Sequence, residues 1–310
     1  MINGTFIQEL LLSTLRMATP ILIVALAELY SEKAGLVNIG LDGIMAFGAL
    51  IGFIVSYMTG NPYLGLLAGA LGGMMVNMVY AFATIQLGAQ QIVYGMAINI
   101  FAPALAAFIY KAYFGVSSVL AQATLMTTVP IPVLSNLPFI GKILFNHTPI
   151  VYFVYLMVPI SYIFFEKTKA GLKFKAVGEY PKAAESLGIN VYKTKYLASM
   201  ICGSLAGIGG AYLTTAYVMT YSDGIVSGRG FIALSAVVFG RWMPGGVLLA
   251  ALLFGFTDAL QLRMQVMSST TPYQLLAMIP YLSTLFVLAF FGIKKAGPKA
   301  NGQPYFKEER

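Results

Sequence analysis

Two clusters of polar side chains could do chemistry in this otherwise apolar chain. The first is Gly35-Leu-Val-Asn-Ile-Gly-Leu-Asp-Gly43. Asn38 and Asp42 are four apart, which puts them on one face of a helix, with Gly35, Gly40 and Gly43 around them. Glycine allows close helix approach, or an interrupted helix whose free backbone groups face a cavity. Ionisable residues inside a span are functional by default, so Asn38 and Asp42 form a candidate polar patch on a translocation path. Alternatively, both bond to neighbouring helices and never meet substrate. The second cluster is Gln86, Gln90, Gln91, Tyr94 and Asn99. Gln91 and Asn99 are about two helical turns apart and face the same way. Tyr94, three residues from Gln91, lies nearby. Amides beside an aromatic ring can hydrogen-bond and stack a flat heterocycle, although interhelical bonding uses the same residues.

A third segment has a mechanical chemistry. Residues 166–195 hold seven of the fourteen lysines. Within them, Glu179-Tyr-Pro-Lys-Ala-Ala-Glu-Ser-Leu-Gly188 predicts one short helix, with Pro181 in its first turn and Gly188 as its stop. Ala183, Ala184 and Leu187 are three and four apart and share a face. A small apolar face on a basic loop between membrane spans suits a grip by a soluble cytoplasmic partner.

The elements that must position these groups are membrane helices. The chain is 58% hydrophobic and 10% charged, against roughly 25% charge in soluble domains. Nine apolar runs near the bilayer-crossing length of about 20 residues fall at 10–30, 36–57, 62–87, 92–110, 149–165, 196–221, 230–242, 245–262 and 273–292. The seventh is short, which predicts a tilted or broken span. Twelve of nineteen Lys and Arg lie in 166–195 and 294–310, so both segments are expected in the cytoplasm. The net charge of +8 is therefore no argument for nucleic acid. Counting back puts the N-terminus outside, together with residues 111–148 and their Pro130, Pro132 and Pro138. Glu32 and Lys33 fall inside. The N-terminus has no basic region or cleavage site of a removable signal. His147 reads as a surface residue of the external loop, and Arg229 as a partner for Asp223.

The two ends of the chain look alike. Residues 10–110 and 195–292 each give four spans. In each, a long first span ends in a short polar link (31–35 and 222–228), and a proline (Pro62, Pro244) opens the third span. One copy starts outside and the other inside, an inverted repeat of the transporter kind. The whole chain, 1–310, makes one membrane domain.

Energy is expected from elsewhere. There is no P-loop glycine motif, no zinc-protease motif and no nucleophile elbow. Glu9, Glu28, Asp42 and Asp258 are the acids in or bordering spans, too thin a series for ion coupling. Cys202, the single cysteine, lies in an apolar span and makes no metal cluster.

Four stretches carry a family resemblance. Ala176-Val-Gly-Glu-Tyr-Pro-Lys-Ala-Ala-Glu-Ser-Leu-Gly-Ile-Asn190 resembles the cytoplasmic coupling segment of permease subunits of bacterial ABC importers in the branched-chain amino acid, ribose and nucleoside group. An arginine usual near its start is replaced by Lys175 or absent. Glu28-Leu-Tyr-Ser-Glu-Lys-Ala-Gly-Leu-Val-Asn-Ile-Gly-Leu-Asp-Gly43 resembles the nucleoside branch, where Glu is common at the position of Asp42. Gly230-Phe-Ile-Ala-Leu234 and Phe239-Gly-Arg-Trp-Met-Pro244 fit that branch too.

The resemblance implies an all-α polytopic membrane protein similar to the vitamin B12-type importers, with about nine transmembrane helices and the first of ten spans missing. It implies a second, different permease, a cytoplasmic ATPase that carries the ATP and its magnesium, and an extracellular or periplasmic binding protein or lipoprotein that delivers substrate. This chain would bind no cofactor. Glu179, Pro181, Ala183, Ala184, Leu187 and Gly188 would form the coupling helix, and Asn38, Asp42, Gln91, Tyr94 and Asn99 the nucleoside path. A sugar or branched-chain amino acid permease, an ion-coupled transporter and a non-transporting scaffold are the alternatives.

Overall fold

The computed structural model describes residues 4–115, 121–132, 134–137, 140–267, 273–291 and 297–307. In chain order the helices are α1 (Gly4–Lys33), α2 (Leu41–Thr59), α3 (Pro62–Ala81), α4 (Gln91–Phe114), α5 (Ile140–Phe145), α6 (Pro149–Lys167) and α7 (Lys169–Glu179). They continue with α8 (Pro181–Ser186), α9 (Val191–Tyr212), α10 (Arg229–Phe239), α11 (Pro244–Met267), α12 (Tyr273–Ala277) and α13 (Ile279–Phe291). Both α3 and α9 run on into a wide π turn, Phe82–Gln86 and Leu213–Tyr217. Two short strands, β1 (Val129–Pro130) and β2 (Asn146–His147), pair antiparallel.

Among the described residues, seven helices are long and apolar enough to cross a membrane, so the chain is a multi-pass membrane protein. Two of the nine predicted spans fall short of that length, the seventh as its sequence predicts. The seventh is α10, with 11 residues, about 16 Å of helix. The ninth is divided between α12 and α13, and its end at Gly292 lies outside the described residues. The second starts at Leu41 rather than at 36, because residues 34–40 are not helical.

Local sequence explains the sharper helix boundaries. Gly60 closes α2 at φ +67°, a left-handed conformation that glycine adopts without cost. Asn61 then caps α3, its Oδ1 accepting from Tyr63 N at 2.9 Å, and Pro62 takes the first helical position, where its missing N–H is no loss.

The centre of the bundle is the antiparallel pair α1 and α9. Each buries 72% of its most apolar stretch, against 22% for the peripheral α4. Contacts run in opposite directions along the pair: Glu28 with Cys202, Val24 with Gly209, and Arg16 with Tyr212. Beyond each other, α1 packs on α10 and α11, and α9 packs on α2 and α3. The α3–α9 seam is built on small residues four apart, Gly69 and Gly73 against Gly203, Gly207 and Ala211. A Cβ on Gly207 would lie 2.2 Å from the Gly69 carbonyl oxygen. Lipid tails give helices no hydrophobic reason to associate, so this close backbone approach is what holds the seam.

The two ends of the bundle differ. At one, Lys33, α7, α8 and residues 297–307 gather, and a Cβ on Gly178 would lie 2.3 Å from the Lys33 carbonyl. At the other, Phe53, Tyr57, Tyr110, Phe114 and Tyr221 cluster. There Lys111 pairs with Asp223 at 3.0 Å, so the expected Arg229–Asp223 pair does not form. Arg229 instead donates to the carbonyls of Ile225 and Val226. His147 is no surface residue: it is 1% exposed, its Nε2 is 2.6 Å from the Ile143 carbonyl, and its backbone is held in the strand pair.

Candidate translocation and coupling sites

The non-helical link 34–40 is the most unusual backbone in the bundle. It lies among spans, where an unpaired N–H or C=O costs several kcal/mol, on the order of the full desolvation penalty. Every backbone partner of its central part comes from a buried or half-buried side chain or from α1. Ser31 serves Leu36 twice: its carbonyl accepts from Leu36 N at 3.1 Å, and its hydroxyl donates to Leu36 O at 2.9 Å. Gln91 Oε1 accepts from Val37 N at 2.8 Å and Tyr80 OH donates to Val37 O at 2.6 Å. Glu28 Oε1 accepts from Asn38 N at 2.7 Å. Asn99 Nδ2 donates to Ile39 O at 2.6 Å, and Asn99 Oδ1 accepts from Gly43 N at 2.8 Å. Asn38 Oδ1 accepts from Gly40 N at 2.9 Å.

This arrangement brings four of the five expected path residues together: Asn38, Asp42, Gln91 and Asn99 surround one link. It also corrects their geometry. Asn38 is not on a helical face with Asp42, because it precedes the first turn of α2. Its side chain is fully buried and reaches away to Asn77 Oδ1 at 2.7 Å. Asn77 in turn donates to Ser199 on α9. Gln91 and Asn99 do share a face, as their spacing predicts, and both point at the link. Tyr94 does not join them. It is 39% exposed on the outer side of α4, because position three beyond a buried Gln91 rotates away from the α2 seam.

Asp42 opens α2 half-buried, and its Oδ1 accepts from Gly230 N at 3.0 Å. The backbones approach closely here, since a Cβ on Gly230 would lie 2.3 Å from Asp42 N. Two helices, α2 and α10, therefore begin next to each other inside the bundle, each after a non-helical stretch. Helix N-termini carry partial positive charge and free N–H groups, a standard means of holding polar groups within a membrane.

The coupling segment is two helices rather than one. Glu179 ends α7 as an exposed residue, and α8 starts at Pro181. The chain reverses after Leu187 through Gly188 at φ +80°, as its glycine predicts. Ala183 and Leu187 are exposed, Leu187 at 82%. Ala184 is not on their face: it is buried with Val177, Val191 and Tyr305. Ala184 thus seats α8 on the bundle, while Ala183 and Leu187 point to solvent.

Several partners carry little local signal in the sequence. Tyr80, Asn77 and Ser199 read as ordinary span residues, and only the link's unpaired backbone shows what they do. Glu32 is a junction: its Oε2 accepts from Trp242 Nε1 at the turn after α10 and from Asn301 Nδ2 at 2.8 Å. The period-four glycines of α3 and α9 are the one missed feature with a clear sequence signature.

Comparisons with known proteins agree with this architecture. Residues 10–291 match the family described as branched-chain amino acid transport system / permease component. The nucleoside ABC transporter permease protein NupC of Lactococcus lactis is 37% identical over 98% of each chain. The guanosine ABC transporter permease protein NupQ of Bacillus subtilis is 36% identical over 96% of each. The putative glucose ABC transporter permease protein TsgC13 of Haloferax volcanii is 35% identical over 98% of this chain and 99% of its own. The first two organisms each have a second, more distant permease that also matches, NupB at 26% and NupP at 23% identity. No solved structure matches. The chain belongs to the branched-chain amino acid transport system permease family.

Proposed function

We propose that this chain forms one half of the membrane path of an ATP-driven nucleoside importer. The observation that carries the cargo is the end-to-end likeness to NupC and NupQ at 37% and 36% identity. The other half is a second, different permease, as the matching NupB and NupP suggest. A separate ATPase grips α8 through Ala183 and Leu187, and an external binding protein delivers the nucleoside. Support for α8 comes from its position: a short helix standing out at the lysine-rich end, seated by Ala184 and stopped by Gly188.

In this reading the full count is nine spans in an inverted repeat, α1–α4 and α9–α13, as in the vitamin B12-type importers. The exchange of contacts supports it: α1 meets α10 and α11 of the other half just as α9 meets α2 and α3. With the lysine-rich end in the cytoplasm, the C-terminus is inside and the N-terminus outside. Asp42 and the link 34–43 border the path. Asn38, Gln91 and Asn99 shape it by holding the link, and Tyr94 faces lipid or the second permease.

One observation favours a sugar instead, the 35% identity to a putative glucose permease. Uptake of labelled guanosine, glucose and leucine by cells with and without this chain separates the readings. Loss of guanosine uptake alone on deletion supports the nucleoside assignment. Loss of glucose uptake alone replaces it.

A further inference from the structure

Residues 297–307 pass across the lysine-rich end of the bundle and touch nearly every element there. Ala300 N donates to Gly178 O at 2.9 Å, at the end of α7. Asn301 reaches Glu32 at the end of α1. Gln303 O accepts from Gln91 Nε2 at 3.4 Å. Tyr305 OH donates to Glu185 of α8, and the Tyr305 ring lies against Tyr192 and under Lys195 of α9. Two open grooves run along the contact between this segment and α8, one lined by Glu185 and Tyr192, the other by Tyr180 and Ala183.

Two of these contacts form a continuous line. Glu185 on α8 holds Tyr305. Two residues back along the segment, Gln303 holds Gln91. The same Gln91 amide holds Val37 N in the link that leads into α2. We propose that the segment 303–305 is a coupling strap, and that Tyr305 and Gln91 are positioning residues that carry displacement of α8 to the link 34–40. The inference rests on α8 being the helix an ATPase grips.

Physically, the strap is a second route from α8 to the link, beside the close packing of Gly178, at the end of α7, on Lys33 and Gly35. Helix α8 is short and is seated mainly through Ala184 against Val177, Val191 and Tyr305. The strap is a short non-helical stretch fixed at both ends by side-chain contacts. At its far end it meets an amide whose other oxygen-bound partner is the path-bordering backbone. A rigid element with contacts at both ends is what moves a small shift from one site to another.

The test uses the whole complex, isolated through this chain and placed in lipid vesicles. Tyr305→Phe keeps the ring on Tyr192 and Lys195 but removes the hydroxyl that holds Glu185. Gln91→Glu keeps an oxygen for Val37 N and, when ionised, has no donor for Gln303. Three quantities are measured: ATPase co-purification, ATP hydrolysis and substrate uptake, with Ala183→Arg as a control for docking. The strap predicts that both variants retain the ATPase and still hydrolyse ATP, while uptake falls about tenfold for Tyr305→Phe, which loses a bond to a charged group, and several-fold for Gln91→Glu, which loses a neutral one. It also predicts that the double variant is no worse than the more severe single, because the two contacts act in series. Unchanged uptake in both variants overturns the strap, as does a double loss that is the product of the singles. Loss of the ATPase from Tyr305→Phe overturns it too, by making the segment part of the docking surface. If Ala183→Arg keeps the ATPase, the coupling assignment of α8 fails first, and the strap with it.

Discussion

The Asp42 carboxylate accepts from the Gly230 amide at 3.0 Å, so the first turn of α2 caps the first turn of α10. The residue that would ordinarily supply this cap is Gly228, which has no side chain to do so. A residue from one end of the chain thus completes a helix from the other, at the point where both helices begin inside the bundle. The negative carboxylate also sits where the α10 dipole favours it.

Asp42→Ala removes this cap, and Asn99→Ala frees both Ile39 O and Gly43 N. The expected destabilisation is about 1–2 kcal/mol for the cap and about 1–3 kcal/mol for the unsatisfied backbone groups. Asp42→Asn, which keeps an acceptor oxygen, should lose less. Thermal unfolding of the purified complex gives the stability, and uptake per assembled complex gives the function. Both alanine variants should transport less than wild type once normalised. Equal normalised uptake would confine both residues to structural support.

The α3–α9 seam predicts a sharp size limit. Gly207→Ala puts a methyl group 2.2 Å from the Gly69 carbonyl, so the helices must separate, at a cost of about 1–3 kcal/mol for overpacking. Gly245→Ala, in α11 with nothing within 4 Å, is the matched control and should be neutral or slightly stabilising. Similar melting temperatures for the two variants would show that the seam is loose.

Much of this was legible in the sequence, for reasons particular residues make plain. Long apolar runs, Pro62 and Gly188 are local signals, and the helices they predict are present. Asn38, Asp42, Gln91 and Asn99 were recognisable as unusual because polar groups in spans need a reason. What they bond to was not: Gln91 and Asn99 hold backbone atoms of a link that the helical pattern at 36–57 conceals, and Asn38 and Asp42 reach Asn77 and Gly230 on other helices. Ala184 was misplaced because it lies about 100° around the helix from its neighbour Ala183, so the bundle takes Ala184 while Ala183 and Leu187, four apart, keep the solvent side. His147 was misjudged because exposure of a loop residue depends on how α5 folds back over it.

His147 predicts a pH effect. Burial lowers its pKa from the usual 6.5, with the nearby Arg16 charge acting the same way and the Ile143 hydrogen bond opposing. The folded state therefore binds fewer protons than the unfolded state below about pH 6.5. Stability is full above that value and falls as pH drops towards the lowered folded pKa. Melting temperature against pH should show this loss, and His147→Gln should flatten it. A curve with the same slope in both proteins would assign the acid sensitivity to other groups.

Sidedness is checked with single cysteines at Ser135 and Ser186, against a native Cys202 that is fully buried. A membrane-impermeant thiol reagent added to intact cells should label position 135 and spare 186. The reverse pattern would invert the whole topology.

The most direct measurement is of docking at α8. Ala183 is exposed beside Leu187 and small enough for close contact, and Ala183→Arg adds bulk and charge there, away from the membrane spans. The permease should still insert and pair. The ATPase captured with this chain should fall well below the wild-type level, and ATP-driven uptake should fall with it. Full capture of the ATPase and full uptake with arginine at this position would contradict the account, leaving α8 as an ordinary solvated turn.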